Sequence, residues 1–407
     1  MSGRTNWLAY GCAILVLLDA FFIPDIRISS QLPAFQLTDF LLPIIGLLLY
    51  PKLPQVRKEW WFIWIALFAG YMLLPMLING RIKQWNDYFE LYRFIKLGVI
   101  FLLFRFTQSK QLYPLIVGSF MLLLLINVLH LYNVFNINEL LTYTYGDSIH
   151  FKLFGQDSLG NPAVKRMLGT MGNPNTNALL FLFFTVYFLP IEKKRAHWAL
   201  CYTALFMVFL CQSRTSLLAA GIVILAILIL TKKDGIKAGV WKGVSCIGLY
   251  VLATMIATSF FKYTSYSNSL MDGSALYSTS LRSRWESWTI LWDMIKTKPL
   301  FGFAPYKSYF TAHQLYAENE YLLIWWRYGI FGLLFYLGIF LLPFWELFRR
   351  KLDTNSVKAM IMISVMLIAA LTNNPLTERT ISVLFVFILA SGLPKSKEHE
   401  KTLAHWQ

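Results

Sequence analysis

Apolar runs of roughly the length needed to cross a membrane recur along this chain, separated by short polar turns. They fall near 6–24, 32–50, 60–79, 88–106, 112–133, 173–190, 197–212, 215–231, 240–260, 320–348, 357–373 and 379–394. A helix needs roughly 20 apolar residues to cross a bilayer, so the pattern predicts an all-α polytopic membrane protein with about twelve transmembrane helices. The run at 320–348 is longer than one span requires, and the whole chain, 1–407, reads as a single membrane domain. Two polar stretches, 134–171 and 261–319, interrupt the rhythm as long loops. Within the second, Leu281, Trp285, Trp288, Trp292 and Ile295 recur at helical spacing, while Arg282, Glu286, Asp293 and Lys296 lie elsewhere round the same helix. This predicts an amphipathic helix lying along the membrane interface, with Arg284 beside the apolar stripe and close to the lipid surface.

Charge patterning orients the runs. Lys52, Arg57 and Lys58, then Arg105 and Lys110, Lys193 to Arg195, Lys232 to Lys242, Arg349 to Lys358 and the Lys395–Lys401 tail occupy alternate turns. By the positive-inside rule that side is cytoplasmic, so both termini lie inside and the loops 134–171 and 261–319 face outward. The first apolar run leads to Phe21-Phe22-Ile23-Pro24-Asp25 rather than to a small-residue cleavage site, so a cleaved signal peptide is not expected.

Composition agrees with this reading, with 57% hydrophobic and only 14% charged residues. A formal net charge of +16 would suggest nucleic acid in a soluble protein. Here it reads instead as anchoring to anionic membrane lipid, with no nucleic-acid partner. Five arginines are not explained by anchoring, because they sit on the outer side: Arg166, Arg214, Arg282, Arg284 and Arg379. Cys12, Cys201, Cys211 and Cys246 all fall inside apolar runs, so they read as packing residues, and neither they nor the histidines show the spacing of a metal site.

Three polar motifs carry candidate chemistry. Arg166 precedes Gly172-Asn173-Pro174-Asn175-Thr176-Asn177, a turn feeding a helix that Asn175 or Thr176 would cap, and a capped N-terminus beside an arginine suits an anion. Gln212-Ser213-Arg214-Thr215-Ser216 is a very short outer turn with an arginine at membrane depth. Arg284 offers a planar fork that suits a lipid-linked phosphate. Asp19, Asp39 and Arg93 lie within apolar runs and keep a transporter or flippase of lipid-linked glycans in view.

Taken in order, these pieces resemble the O-antigen ligase/polymerase superfamily, which includes the O-antigen ligases and the Wzy-type polysaccharide polymerases. The resemblance rests on the Asn-Pro-Asn turn after Arg166, the Ser-Arg-Thr turn at Arg214, and the Arg284-Trp285 helix running on to Lys298-Pro299 and Gly302. It continues through Asn319-Glu320-Tyr321 and the Arg327-Tyr328-Gly329-Ile330-Phe331-Gly332 opening of the next run. The resemblance implies glycan transfer from an undecaprenyl-diphosphate carrier at the outer face of a bacterial plasma membrane, with no cofactor. It implies that Arg214 and Arg284 engage the diphosphate, with Arg282, Arg166 and Arg379 in the same basic surface and Asn175, Asn319 and Tyr321 in support. It also implies membrane lipid, a chain-length regulator and a flippase as partners. In the ligases a histidine precedes the corresponding asparagine; this chain has Glu318 there, which fits a polymerase better than a ligase. Glu318 is then the expected base on the acceptor hydroxyl, with His313 in reserve.

Overall fold

The computed structural model describes residues 2–26, 34–83, 85–107, 109–145, 166–189, 195–230, 236–260, 279–313, 317–350 and 353–394. Among these residues the chain is helical, with an isolated bridge between Ile26 and Phe35 as its only extended pairing. Its principal helices are α1 (Ser2–Phe22), α2 (Leu37–Leu49, continued by short turns to Val56), α3 (Trp60–Ile78), α4 (Trp85–Phe106) and α5 (Tyr113–Tyr132). Next come α6 (Ile137–Tyr145), α7 (Pro174–Tyr187), α8 (Arg195–Leu210), α9 (Arg214–Leu230) and α10 (Ile236–Phe260). The chain ends with α11 (Thr279–Thr297), α12 (Lys307–His313), α13 (Glu320–Phe348), α14 (Thr354–Ala369) and α15 (Arg379–Gly392).

Each apolar run of the sequence coincides with a helix, but among the described residues four segments are long and apolar enough to cross a membrane by themselves: Leu37–Val56, Trp60–Ile78, Tyr113–Tyr132 and Glu320–Phe348. The other apolar helices are shorter or carry charge. The reason is visible in their surroundings. α7 and α15 are buried on nearly every face, so neither needs to match a lipid thickness along its own length. They form the centre of the core, where Phe21 stacks on Phe184 at 5.5 Å and Phe387 meets Phe104 at 5.0 Å. Leu37–Val56, by contrast, lies at the periphery with 22% of its apolar window buried.

Contacts between helix ends set the direction of each helix. At one end Tyr10 bonds the carbonyl of Gln111, Trp60 donates to Glu346 at 2.6 Å, Lys358 reaches the Tyr187 carbonyl at 2.6 Å and Ser356 reaches that of Gly392. At the other end Thr38 meets the Asp19 carboxylate, Asn79 bonds the Gly302 carbonyl at 3.0 Å, and Arg379 bonds the Ile23 carbonyl at 2.6 Å. The start of α1 and the end of α15 therefore lie at the same end. It is the end that carries Lys52, Arg57 and Arg105.

Arg105 departs from its expected role as a surface anchor. It is 2% exposed and pairs with Glu59 at 3.1 Å, while its Nη1 donates to the carbonyls of Ala390 (3.0 Å) and Leu393 (2.6 Å) and its Nη2 to that of Pro394. Those are orphan carbonyls at the C-terminus of α15, where a cation is stabilised by the helix dipole as well.

α13 resolves the overlong run. Its 29 residues would make a helix about 43 Å long at 1.5 Å per residue, well beyond a hydrocarbon core of about 30 Å. The helix breaks at Gly329 (φ 66°, ψ −172°). Such a break orphans backbone groups, and the segment after α11 together with Tyr71 of α3 supplies their partners. Phe303 N donates to Trp326 O at 2.9 Å, Ala304 N to Arg327 O at 2.7 Å, Ile330 N to Pro299 O at 2.9 Å, and the Tyr71 hydroxyl to Tyr328 O at 2.8 Å. A Cβ on Gly329 would lie 1.9 Å from the Leu300 carbonyl oxygen, so only glycine fits there.

Candidate functional site

Among the described residues, the buried side-chain polar atoms that lack a hydrogen bond gather at the end opposite Arg105; they include groups of Arg93, Gln212, Ser216, Trp326, Arg327, Tyr328, Asn373 and Asn374. Buried polar groups in a finished interior are satisfied, so this end is the candidate site.

α11 and its neighbours build one side of it. The face turned to the protein carries Leu291 and Ile295, both buried, with Trp288 and Arg284 half-buried further towards the N-terminus. Leu291 and Ile295 pack with Ala317, Leu323 and Trp326. Trp285 and Trp292 are exposed, so the stripe expected from spacing is rotated by roughly 60°. Both flanks of the helix are apolar, one meeting α13 and the other facing outward, and spacing alone averages them. The rotation brings Arg284 inward. It forms an ion pair with Glu318, the two side chains being 22% and 42% exposed. The side chain of Leu281 lies outside the described residues.

Glu318 stands just before α13, whose N-cap is Asn319, accepting from Leu322 N at 3.0 Å. Tyr321 donates its hydroxyl to the Leu367 carbonyl at 2.6 Å. These two supporting residues hold the start of α13 in place. His313 ends the short helix α12, exposed and stacked on Tyr309 at 4.0 Å. Arg282 is 82% exposed and pairs with Glu286 one turn along α11, turned away from Glu318.

The other arginines divide by what already occupies them. Arg166 bonds the Cys211 carbonyl at 3.3 Å and Asn175 Oδ1 at 2.9 Å, so it ties the start of α7 to the turn before α9. The cap of α7 is Asn173, which accepts from Asn175 N at 2.8 Å and from Thr176 N; neither Asn175 nor Thr176 is the cap. The proline at the first helical position fixes the cap two residues or more before the expected one. Arg379 pairs with Asp25 at 2.6 Å and caps the carbonyls of Asp19 and Ile23 at the end of α1. Arg214 opens α9, and its neighbour Thr215 is hydroxyl-bonded to Thr372.

The linker from Ala370 to Glu378 gathers these parts, and sequence reasoning overlooked it apart from its last neighbour, Arg379. Ala370 accepts from Glu320 N at 2.9 Å, Asn374 Nδ2 donates to the Ala317 carbonyl at 2.7 Å, and Leu376 N and Thr377 Oγ1 both donate to the Glu320 carboxylate at 3.2 Å. Glu320 is fully buried and also accepts from Tyr336 at 2.8 Å. Through this linker the Arg214 turn and the Arg284–Glu318 pair share one end of the bundle.

Sequence reasoning also missed the cluster of charged side chains next to it. Arg93 and Arg327 both engage Glu90, at 2.8 and 3.2 Å. Arg93 lies within electrostatic reach of Glu320 and of Glu378. Glu378 is open to solvent, yet enclosed enough that desolvation raises its carboxyl; Arg93 and Arg379 oppose that rise and Asp25 adds to it. The one sequence signal was the presence of Arg93 within an apolar run. Among the described residues no group of three or more His, Cys, Asp or Glu side chains is arranged to hold a metal ion.

The fold is therefore that of an all-helical membrane protein whose unfinished polar chemistry lies at one end. Residues 199–337, about a third of the chain, match the family model described as O-antigen ligase, which supports the likeness to the O-antigen ligase/polymerase superfamily. The matched stretch contains Arg214, Arg284, His313 and Glu318, whereas Arg93, Arg166 and Arg379 lie outside it. A search of curated proteins finds no match to this chain.

Proposed function

We propose that this protein is a polysaccharide polymerase, a membrane glycosyltransferase that moves undecaprenyl-diphosphate-linked glycan onto a lipid-linked repeat unit at the outer face of a bacterial plasma membrane. The observation that carries the reading is the Arg284–Glu318 ion pair inside the family-matched stretch. It sets a phosphate-binding guanidinium directly beside a carboxylate able to take a proton. In the step proposed, the acceptor hydroxyl oxygen attacks the anomeric carbon and its proton passes to Glu318. The bond from that carbon to the diphosphate breaks, and the electron pair leaves on the diphosphate, whose charge Arg284 and Arg214 stabilise. The arriving diphosphate competes with Glu318 for Arg284 and so releases the carboxylate for its task. Glu318 in place of the ligase histidine favours a polymerase over transfer to lipid A-core. The positive-inside pattern supports a cytoplasmic location for the Arg105 end and both termini, with the loops 134–171 and 261–319 outside; residues 146–165, 261–278 and 314–316 of those loops lie outside the described residues.

The test is reconstitution with the lipid-linked repeat unit as the only sugar substrate. A polymerase makes a ladder from that single substrate, whereas product formed only when a separate lipid acceptor is added identifies a ligase. Glu318→Gln should reduce the ladder by roughly 10²–10⁴-fold, the usual cost of losing a general base. A normal ladder from Glu318→Gln with none from His313→Ala moves the role to His313.

A further inference from the structure

His313 is exposed, yet two contacts fix its ring. The imidazole stacks on Tyr309 with centroids 4.0 Å apart, and its Nδ1 lies 3.0 Å from the Tyr309 carbonyl oxygen. Tyr309 and its neighbour Phe310 are anchored in turn to the buried Trp326. Phe310 meets the indole edge-on at 4.7 Å, and Tyr309 lies 5.9 Å from it. The Arg327 guanidinium, 5.8 Å from the Phe310 centroid, adds a cation to that anchorage. The short helix α12 is thus a fixed post that carries an exposed ring. It stands beside the proposed reaction centre, because Ala317 packs in the same aromatic cluster and Glu318 follows it directly. Five peptide links join His313 to Glu318, so their Cα atoms are at most about 18 Å apart, within the reach of a short oligosaccharide.

From this arrangement we infer that the stacked Tyr309–His313 pair is a platform for a sugar ring of the acceptor, which lies on the outer face of His313 while its attacking hydroxyl reaches Glu318. The inference rests on the transferase reading. A carbonyl only accepts, so Nδ1 of His313 donates to Tyr309, and in the neutral ring Nε2 is left as an acceptor. Among the described residues no other hydrogen bond or ring contact engages His313. The platform therefore offers an aromatic face with one acceptor at its edge. A pyranose ring has a face of C–H groups, which the negative face of an aromatic ring attracts, and a rim of hydroxyls able to donate to Nε2. A phosphate would meet a lone pair at that edge, and a lipid chain would leave the ring nitrogen without a partner. Arg284 and Arg214 then handle phosphate, and the platform holds sugar.

The experiment measures transfer by the full-length protein reconstituted with the lipid-linked repeat unit, and titrates the same protein in detergent with the free oligosaccharide repeat unit released from the host's own polysaccharide. His313→Ala should raise KM and weaken oligosaccharide binding, each by about tenfold, with kcat held within about twofold, the signature of lost uniform binding. His313→Phe keeps the ring without its nitrogens and should restore both values to within about threefold of wild type. Neither variant removes a buried contact, and matching melting midpoints would show that both fold. Unchanged oligosaccharide affinity in His313→Ala overturns the inference, as does a His313→Phe variant as weak as His313→Ala. A loss confined to kcat in both variants also overturns it and makes His313 the base. A wild-type protein that binds the oligosaccharide through His313 yet transfers nothing overturns the transferase reading and leaves the sugar platform standing. One that polymerises with a KM indifferent to His313 overturns the platform alone.

Discussion

Arg105 and Arg284 sit at opposite ends of the same helical bundle, and they are built on opposite plans. Arg105 is 2% exposed and its guanidinium is shared among a carboxylate and three carbonyls. Arg284 is 22% exposed and meets one carboxylate, Glu318. The first arginine has completed its bonding within the fold, and the second has donors left for a ligand. The same contrast holds for the two ends as wholes, since the unsatisfied buried polar atoms among the described residues gather with Arg284. Burial of an arginine therefore says little about function until its partners are counted.

The sharpest way to break this contrast is to truncate both residues. Arg105→Ala leaves the Glu59 carboxylate and the end of α15 without their partner, and should destabilise the fold by about 3–5 kcal/mol. Thermal unfolding in detergent would register it as a large drop in midpoint and a poor yield. Arg284→Ala should leave that midpoint nearly unchanged and cut glycan transfer by roughly 10²–10³-fold, the scale of losing one charge-stabilising donor. Equal loss of stability in both variants would erase the distinction between a structural and a ligand-facing arginine.

A second test asks whether the break in α13 belongs to the architecture of the site end. Gly329→Ala forces a Cβ against the Leu300 carbonyl and a strained positive φ, and should destabilise the protein by about 2 kcal/mol or more. Unaltered unfolding would mean that α13 can run straight. Asn173→Ala removes the cap of α7 and should cost about 1 kcal/mol, while Asn175→Ala, which leaves the cap intact, should cost less in the same melt. The smallest effect belongs to Arg282→Ala. Its exposed pair with Glu286 is worth within about 0.5 kcal/mol, so stability should hold, and a transfer rate close to wild type would separate Arg282 from Arg284 as a phosphate ligand.

Much of the helix inventory was legible in the sequence, because apolar runs bounded by polar turns reflect a local requirement for burial. Asn319 and Glu318 were legible too, lying together at a visible helix start. The break at Gly329 was not, since the hydrophobic run continues through it and the chain that satisfies it comes from Pro299 to Ala304. The inward turn of Arg284 was hidden because α11 is apolar on two flanks. The charged cluster of Glu90, Arg93 and Arg327 was hidden for a different reason: Arg327 lies on another helix far along the chain, and only packing brings it to the other two. Arg379 stood out as an outer arginine, but its bonds to Asp25, Asp19 and Ile23 depend on where α1 ends, which spacing does not reveal.

The Ala370–Glu378 linker bears on how this protein can be recombined. It lies beyond the family-matched stretch 199–337, yet it supplies the bonds that hold Ala317, Glu320 and, through Thr372, the turn beside Arg214. A chimera that exchanges 199–337 alone would import one half of a set of fitted contacts and leave its counterpart behind. The transplantable unit is discontinuous: the matched stretch together with the linker between the last two helices.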